Sequence, residues 1–179
     1  MKRVTHPQDY VEETGTDGKK SIRYVGPMYC VDWGGLRERR VARLWMIAAA
    51  LFAVWLVLGF LPVSDDRLIT TIPFIVSFWP TAMIISCVYR ISRYDLSITR
   101  PAKEGGIDRL RFHAGLGLCV AAMLFVGQAV VVIRYFIRGN AAGWAEWMYL
   151  AAVVGFLSLF RAAREIIRKI MLCEMEGSQ

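Results

Sequence analysis

The side chains of this chain that could do chemistry are few and scattered. Its 179 residues hold two histidines, His6 and His113, and four cysteines, Cys30, Cys87, Cys119 and Cys173. No HExxH, P-loop or GxSxG pattern occurs, and no CxxC pair. The spacings that build a zinc hydrolase, a phosphate cradle, a serine nucleophile or a membrane thiol oxidoreductase are therefore missing. His6 lies in a polar tail and His113 at the edge of an apolar stretch, so no histidine cluster can hold a metal. The clustered aspartates that a membrane phosphotransferase uses for its ions are also lacking. The sequence predicts no enzyme, no cofactor and no metal.

What remains is a set of polar residues inside long apolar stretches. Thr70, Ser77 and Thr81 fall on one helical stripe, with Pro73 and Pro80 beside it. Each proline removes a backbone donor and kinks a helix, and nearby hydroxyls can satisfy the freed carbonyls. Such broken helices line sites in transporters, although the same pattern serves plain packing. Gln128 shares a face with His113, Gly117, Ala121 and Leu124 and can hydrogen-bond to another helix. Arg134 and Glu146 flank the last turn between apolar stretches, at similar depth, so an ion pair is expected. Two readings of Glu146 stand side by side. It is a carboxylate in the wet interface between Trp144 and Trp147, or it joins Arg134 and Gln128 in a binding site. Its angle, about 140° from a seam of small residues at Ala151, Gly155, Ser158 and Ala162, speaks against a central cavity.

These residues need apolar helices to position them. The chain is 56% hydrophobic yet carries a formal net charge of +7, so apolar and charged blocks must be segregated. That excludes a disordered basic tail and an ordinary nucleic-acid-binding domain. Three stretches, 44–64, 68–89 and 112–133, are free of strong charge over the ~20 residues needed to cross a bilayer as a helix. The fourth is short: Trp147 to Phe160 gives 14 uncharged residues, or roughly 21 Å of helix. It must take in Glu146, and we place it at 141–160. Of 22 Lys and Arg, all but Arg67, Arg134 and Arg138 lie before the first span, between the second and third, or after the fourth. The positive-inside rule then puts both termini in the cytoplasm. Trp45 and Tyr89 mark the inner boundary, and Tyr135, Trp144 and Trp147 the outer one. The acidic turn Asp65–Asp66 lies outside. All four cysteines fall on or near the reducing side and are expected as free thiols.

The predicted fold class is an all-α membrane protein, a four-helix transmembrane bundle with a small cytoplasmic N-terminal β-hairpin. Residues 1–20 read as a flexible polar tail. Residues 21–43 read as the hairpin, with its turn at Gly26–Pro27, then Gly34–Gly35 and a basic juxtamembrane helix bearing Arg37, Arg39, Arg40 and Arg43. Those arginines anchor topology or recognise anionic lipid. In the cytoplasmic loop 90–111, Pro101 could start a short helix that Gly105–Gly106 interrupts. Residues 161–179 read as an amphipathic helical tail. Its stripe of Ala162, Ala163, Ile166, Ile167, Ile170 and Met171 packs on the rest of the chain, on the membrane or on a partner.

The order of features resembles a loosely defined set of small bacterial four-span membrane proteins without an assigned activity. The likeness is carried by RYVGPMYCVDW followed by LRERR, by the proline-bearing second span and by ITRPAKEGGIDRLR, over most of residues 22–136. It implies a bacterial cytoplasmic membrane and carries over no catalytic residue. The expected function is a non-catalytic accessory, scaffold or regulatory subunit of a membrane complex. Its partners would be the lipid bilayer and a protein partner or a second copy, not nucleic acid. The alternative is a small oligomeric transporter or channel using Thr70, Ser77, Thr81 and Gln128, with Arg134 and Glu146 outside.

Overall fold

The computed structural model describes residues 7–14, 20–33, 37–61, 67–94, 97–139 and 142–175. His6, Gly34–Gly35 and the Asp65–Asp66 turn lie outside the described residues. A 3-10 turn, Pro7–Asp9, leads into strands β1 (Tyr10–Thr14), β2 (Lys20–Tyr24) and β3 (Met28–Asp32). Helices α1 (Arg37–Phe60) and α2 (Arg67–Ser92) follow, then strand β4 (Ser97–Thr99) and a short helix α3 (Arg100–Lys103). A π-turn at Glu104–Asp108 passes into α4 (Arg109–Ile137). Helix α5 (Trp144–Arg168) and strand β5 (Met171–Met175) close the chain.

By length and composition, three helices among the described residues can cross a membrane: Arg37–Phe60, Leu68–Ser92 and Arg100–Ile137. Helix α1 packs on α2 and α5, and α4 packs on the same two, so the four long helices close a ring. The core runs unbroken from Val31 and Trp33 at one end, through Leu44, Leu51, Leu124 and Phe156. Outside it lies a belt of exposed apolar side chains: Leu68 at 75%, Trp79 at 61%, Met123 at 64% and Phe136 at 61%. A soluble monomer rarely shows so much contiguous apolar surface, and the belt fits a membrane protein.

The small N-terminal hairpin is present, but its position differs from the sequence reading. Gly26–Pro27 separates β2 from β3, yet these strands do not pair. β2 pairs with β1, Tyr10 opposite Tyr24 and Thr14 opposite Lys20. The reason is a contact from earlier in the chain. Asp9 occupies the inside of the expected turn: a Cβ on Gly26 would stand 2.6 Å from Asp9 Cγ, and Val25 N–H donates to Asp9 O at 2.8 Å. Part of the supposed polar tail is thus an ordered strand.

β3 becomes the centre of a three-stranded antiparallel sheet, in the order β4-β3-β5. Met28 lies opposite Thr99 on one side and Met175 on the other. The chain before α1, the connection between α2 and α4, and the chain after α5 therefore meet at one end of the helices. The loop 90–111 holds the expected short helix, α3, with Pro101 at its start and Gly105–Gly106 in the π-turn that follows, and also strand β4, which was not expected. The amphipathic tail stays helical only to Arg168 before turning into β5. Ala163, Ile167 and Ile170 of its stripe are buried in the core.

Candidate functional site

The polar stripe of α2 points inward: Thr70 is 3% exposed, Ser77 0% and Thr81 1%. Two of these hydroxyls turn back on their own helix. Ser77 Oγ donates to Phe74 O at 2.6 Å and Thr81 Oγ1 to Ser77 O at 2.8 Å. Both bonds run to carbonyls other than that of Val76, the one Pro80 deprives of its helical donor. The hydroxyls thus satisfy their own polarity within the helix.

Pro73 leaves the carbonyl of Ile69, four residues back, without its helical donor. That carbonyl faces α4 at Gly127, where an added Cβ would stand 3.0 Å from Ile69 O. Only a glycine lets the two backbones approach so closely. Thr70 and Gln128, the next residue on each helix, consequently lie at one level. Ser77 and Thr81 sit about 10 and 16 Å farther along the axis. The candidate residues therefore separate into an outer group and a self-satisfied stretch of α2.

In the outer group, Gln128 is fully buried and reaches α5. Its Nε2 donates to Glu146 Oε2 at 2.8 Å and to Glu146 O at 3.3 Å. Glu146 is 4% exposed, so the carboxylate is not in the wet interface between the tryptophans. It sits in the first turn of α5, where the helix dipole favours negative charge. Gln128 Oε1 is buried and has no hydrogen-bond partner, leaving an acceptor that a hydroxyl, a water or a cation would satisfy. Arg134 is on the exposed side of α4.

The face of α5 also departs from the sequence reading. Ala151 and Ser158 of the small seam are exposed, and a Cβ on Gly155 would meet nothing. The buried face instead carries Glu146, Tyr149, Val153, Phe156, Phe160, Ala163 and Ile167. Large residues bury more apolar area than small ones, and the space for them comes from the partner helix. A Cβ on Gly117 of α4 would stand 2.0 Å from Phe160 Cε1. His113, on the same face of α4, is 6% exposed, with Nδ1 lacking a hydrogen-bond partner.

At the basic end, arginines bind the ends of helices. Arg37 Nη2 donates to Ser92 O and to Tyr94 O, capping the end of α2. Arg40 donates to Lys169 O at 3.1 Å and Arg111 to Ile170 O at 2.8 Å, capping the end of α5. Two of the four arginines expected at lipid headgroups therefore bind helix ends. Tyr24 ties the hairpin to the sheet: its hydroxyl donates to Pro27 O at 3.0 Å and accepts from Arg100 N–H at 3.1 Å. Burial pushes its phenol pKa up, against the lowering effect of that N–H. Lys103 lies over the Tyr29 ring at 4.2 Å, fixing α3 on β3.

Beyond Tyr24 the hairpin stands in the open. Val11, Glu12 and Glu13 of β1 and Lys20, Ser21, Ile22 and Arg23 of β2 are all exposed. Both faces are therefore uncovered, with Ile22 exposed at 70%. Among the described residues no group of three or more His, Cys, Asp and Glu could hold a metal ion. Compared with protein families, with curated proteins and with solved structures, the chain shows no match in any of the three.

Proposed function

We propose that the protein is a multi-pass protein of a bacterial cytoplasmic membrane, in which the ring of four helices is a transmembrane bundle and both termini are cytoplasmic. It acts without catalysis, as an accessory, scaffold or regulatory subunit of a membrane assembly. The observation that carries this reading is the hairpin β1–β2, displayed on the three-stranded sheet with both faces uncovered. An isolated two-stranded hairpin is marginal in water, and this one offers strand edges and apolar side chains to a partner. The distribution of basic residues supports the orientation, because the three Lys/Arg-rich segments are the three that join the sheet. The backbone bonds of Ser77 and Thr81 favour packing over a water-lined path. The test is native co-purification in mild detergent with mass measurement of the intact particle. A defined heteromeric complex supports the reading, and a lone monomer opposes it.

A second reading, a small oligomeric transporter or channel, draws on one observation: the buried Gln128–Glu146 pair with its unfilled acceptor. Ionisable groups at membrane depth are costly and commonly functional. If this reading holds, Glu146→Gln abolishes a binding or flux signal in proteoliposomes; an unchanged signal excludes it.

A further inference from the structure

Cys30 and Cys173 occupy directly opposed positions on β3 and β5. Both thiols are free, Cys30 half-buried and Cys173 exposed. Val31, the next residue of β3, is 2% exposed. The two-residue period of a strand therefore turns Cys30 to the opposite, outer face of the sheet. Opposed residues of an antiparallel pair project to the same face, so Cys173 shares it. Their Cα atoms stand about 4.5–5.5 Å apart in either kind of pair, within the roughly 4.4–6.8 Å that a disulfide spans. On the other side of Cys30 its register partner is the uncharged Ser97. The remaining thiols are elsewhere: Cys87 is buried in α2, and Cys119 is exposed on α4.

We propose that Cys30 and Cys173 form a reversible dithiol–disulfide site, oxidised by a low-molecular-weight disulfide of the glutathione type. The exposed Cys173, as thiolate, attacks one sulfur of the oxidant. The oxidant's S–S bond breaks, a mixed disulfide forms and one small thiolate leaves and takes up a proton. Cys30 gives its proton to water and attacks Cys173 Sγ, expelling the second small thiolate, which is protonated in turn. Two protein thiols and one small disulfide become one protein disulfide and two small thiols, so two electrons pass to the oxidant. The new bond fastens the strand entering α1 to the strand leaving α5. On the proposed cytoplasmic side the site rests as the dithiol and closes when the small-disulfide pool rises.

The experiment uses full-length protein purified in detergent under reductant, desalted and exposed to oxidised glutathione. The expected product has lost two of its four thiols, is lighter by two hydrogens, and yields a linked Cys30–Cys173 peptide on non-reducing digestion. Dithiothreitol restores all the thiols. Cys30→Ser is expected to stop at the mixed disulfide, heavier by one glutathionyl group. Retention of every thiol, linkage of any other pair, or glutathione on both cysteines without a protein disulfide overturns the proposal. The wild-type peptide map decides the matter alone if the serine variant fails to fold.

Discussion

Gln128 on α4 donates to the Glu146 carboxylate on α5 across 2.8 Å, in a pair almost sealed from the surroundings. Losing a buried hydrogen-bond partner costs more than the bond itself, because the group left behind stays desolvated. Gln128→Leu is expected to destabilise the fold by about 2–4 kcal/mol. Glu146→Gln keeps a hydrogen-bonding partner and should cost less. Thermal unfolding of both variants in one detergent checks the order; equal losses would mean that the pair is not coupled.

Gly117 and Gly127 set the two contacts of α4 by different means. At Gly117 the obstacle to a side chain is the Phe160 ring, and at Gly127 it includes a backbone carbonyl. Gly117→Ala should destabilise by about 1–3 kcal/mol through overpacking. Adding Phe160→Leu should recover part of that loss. No side-chain change can clear Ile69 O from Gly127→Ala. Unfolding midpoints of the two singles and the double distinguish these cases; no recovery in the double would remove Phe160 from the account.

Tyr94 gives the basic end a dependence on pH. Its hydroxyl donates to Ala102 O at 2.9 Å, and the ring fills the space beside Gly106. Burial pushes its phenol pKa up, partly offset by Arg90 and aided by Cys87. The neutral form is thus favoured by folding. Its contribution is complete below the ordinary tyrosine value of about 10 and is lost as pH rises through the higher folded value. Stability measured across this alkaline range should fall less steeply in Tyr94→Phe than in the parent. Parallel curves would show that Tyr94 does not titrate with unfolding.

The sheet β4-β3-β5 makes a statement about sidedness. A membrane-impermeant thiol reagent should reach Ser97→Cys and native Cys173 from one side of the membrane, and Gly139→Cys from the other. The labelling is read in variants keeping a single cysteine, on intact cells and on inverted vesicles. Labelling of Ser97→Cys and Gly139→Cys from the same side would refute the four-span arrangement.

The sequence made the apolar stretches legible because charge is excluded from them over a length set by the bilayer. Thr70, Ser77 and Thr81 were legible as one inward stripe because helical period alone decides it. The inner face of α5 was not, since Phe160 seats on Gly117, a pairing that exists only between helices. The hairpin was misplaced because Gly26–Pro27 has turn chemistry, whereas Asp9, far back in the chain, decides which strand β2 joins. The pairing of β3 with β4 and β5 was hidden for the same reason. Its partners lie beyond two and five helices, and a strand's register carries no local mark of its partner.

The central claim is that the uncovered hairpin docks a partner of the membrane assembly. The most direct measurement is the native mass of the protein extracted in mild detergent, taken beside Ile22→Lys and Val11→Glu, which alter opposite faces of the hairpin. The account predicts a defined heteromeric mass for the parent. At least one variant should lose that partner while keeping the parent's unfolding midpoint. A parent that runs as a lone monomer, or a complex that survives both substitutions, would contradict it.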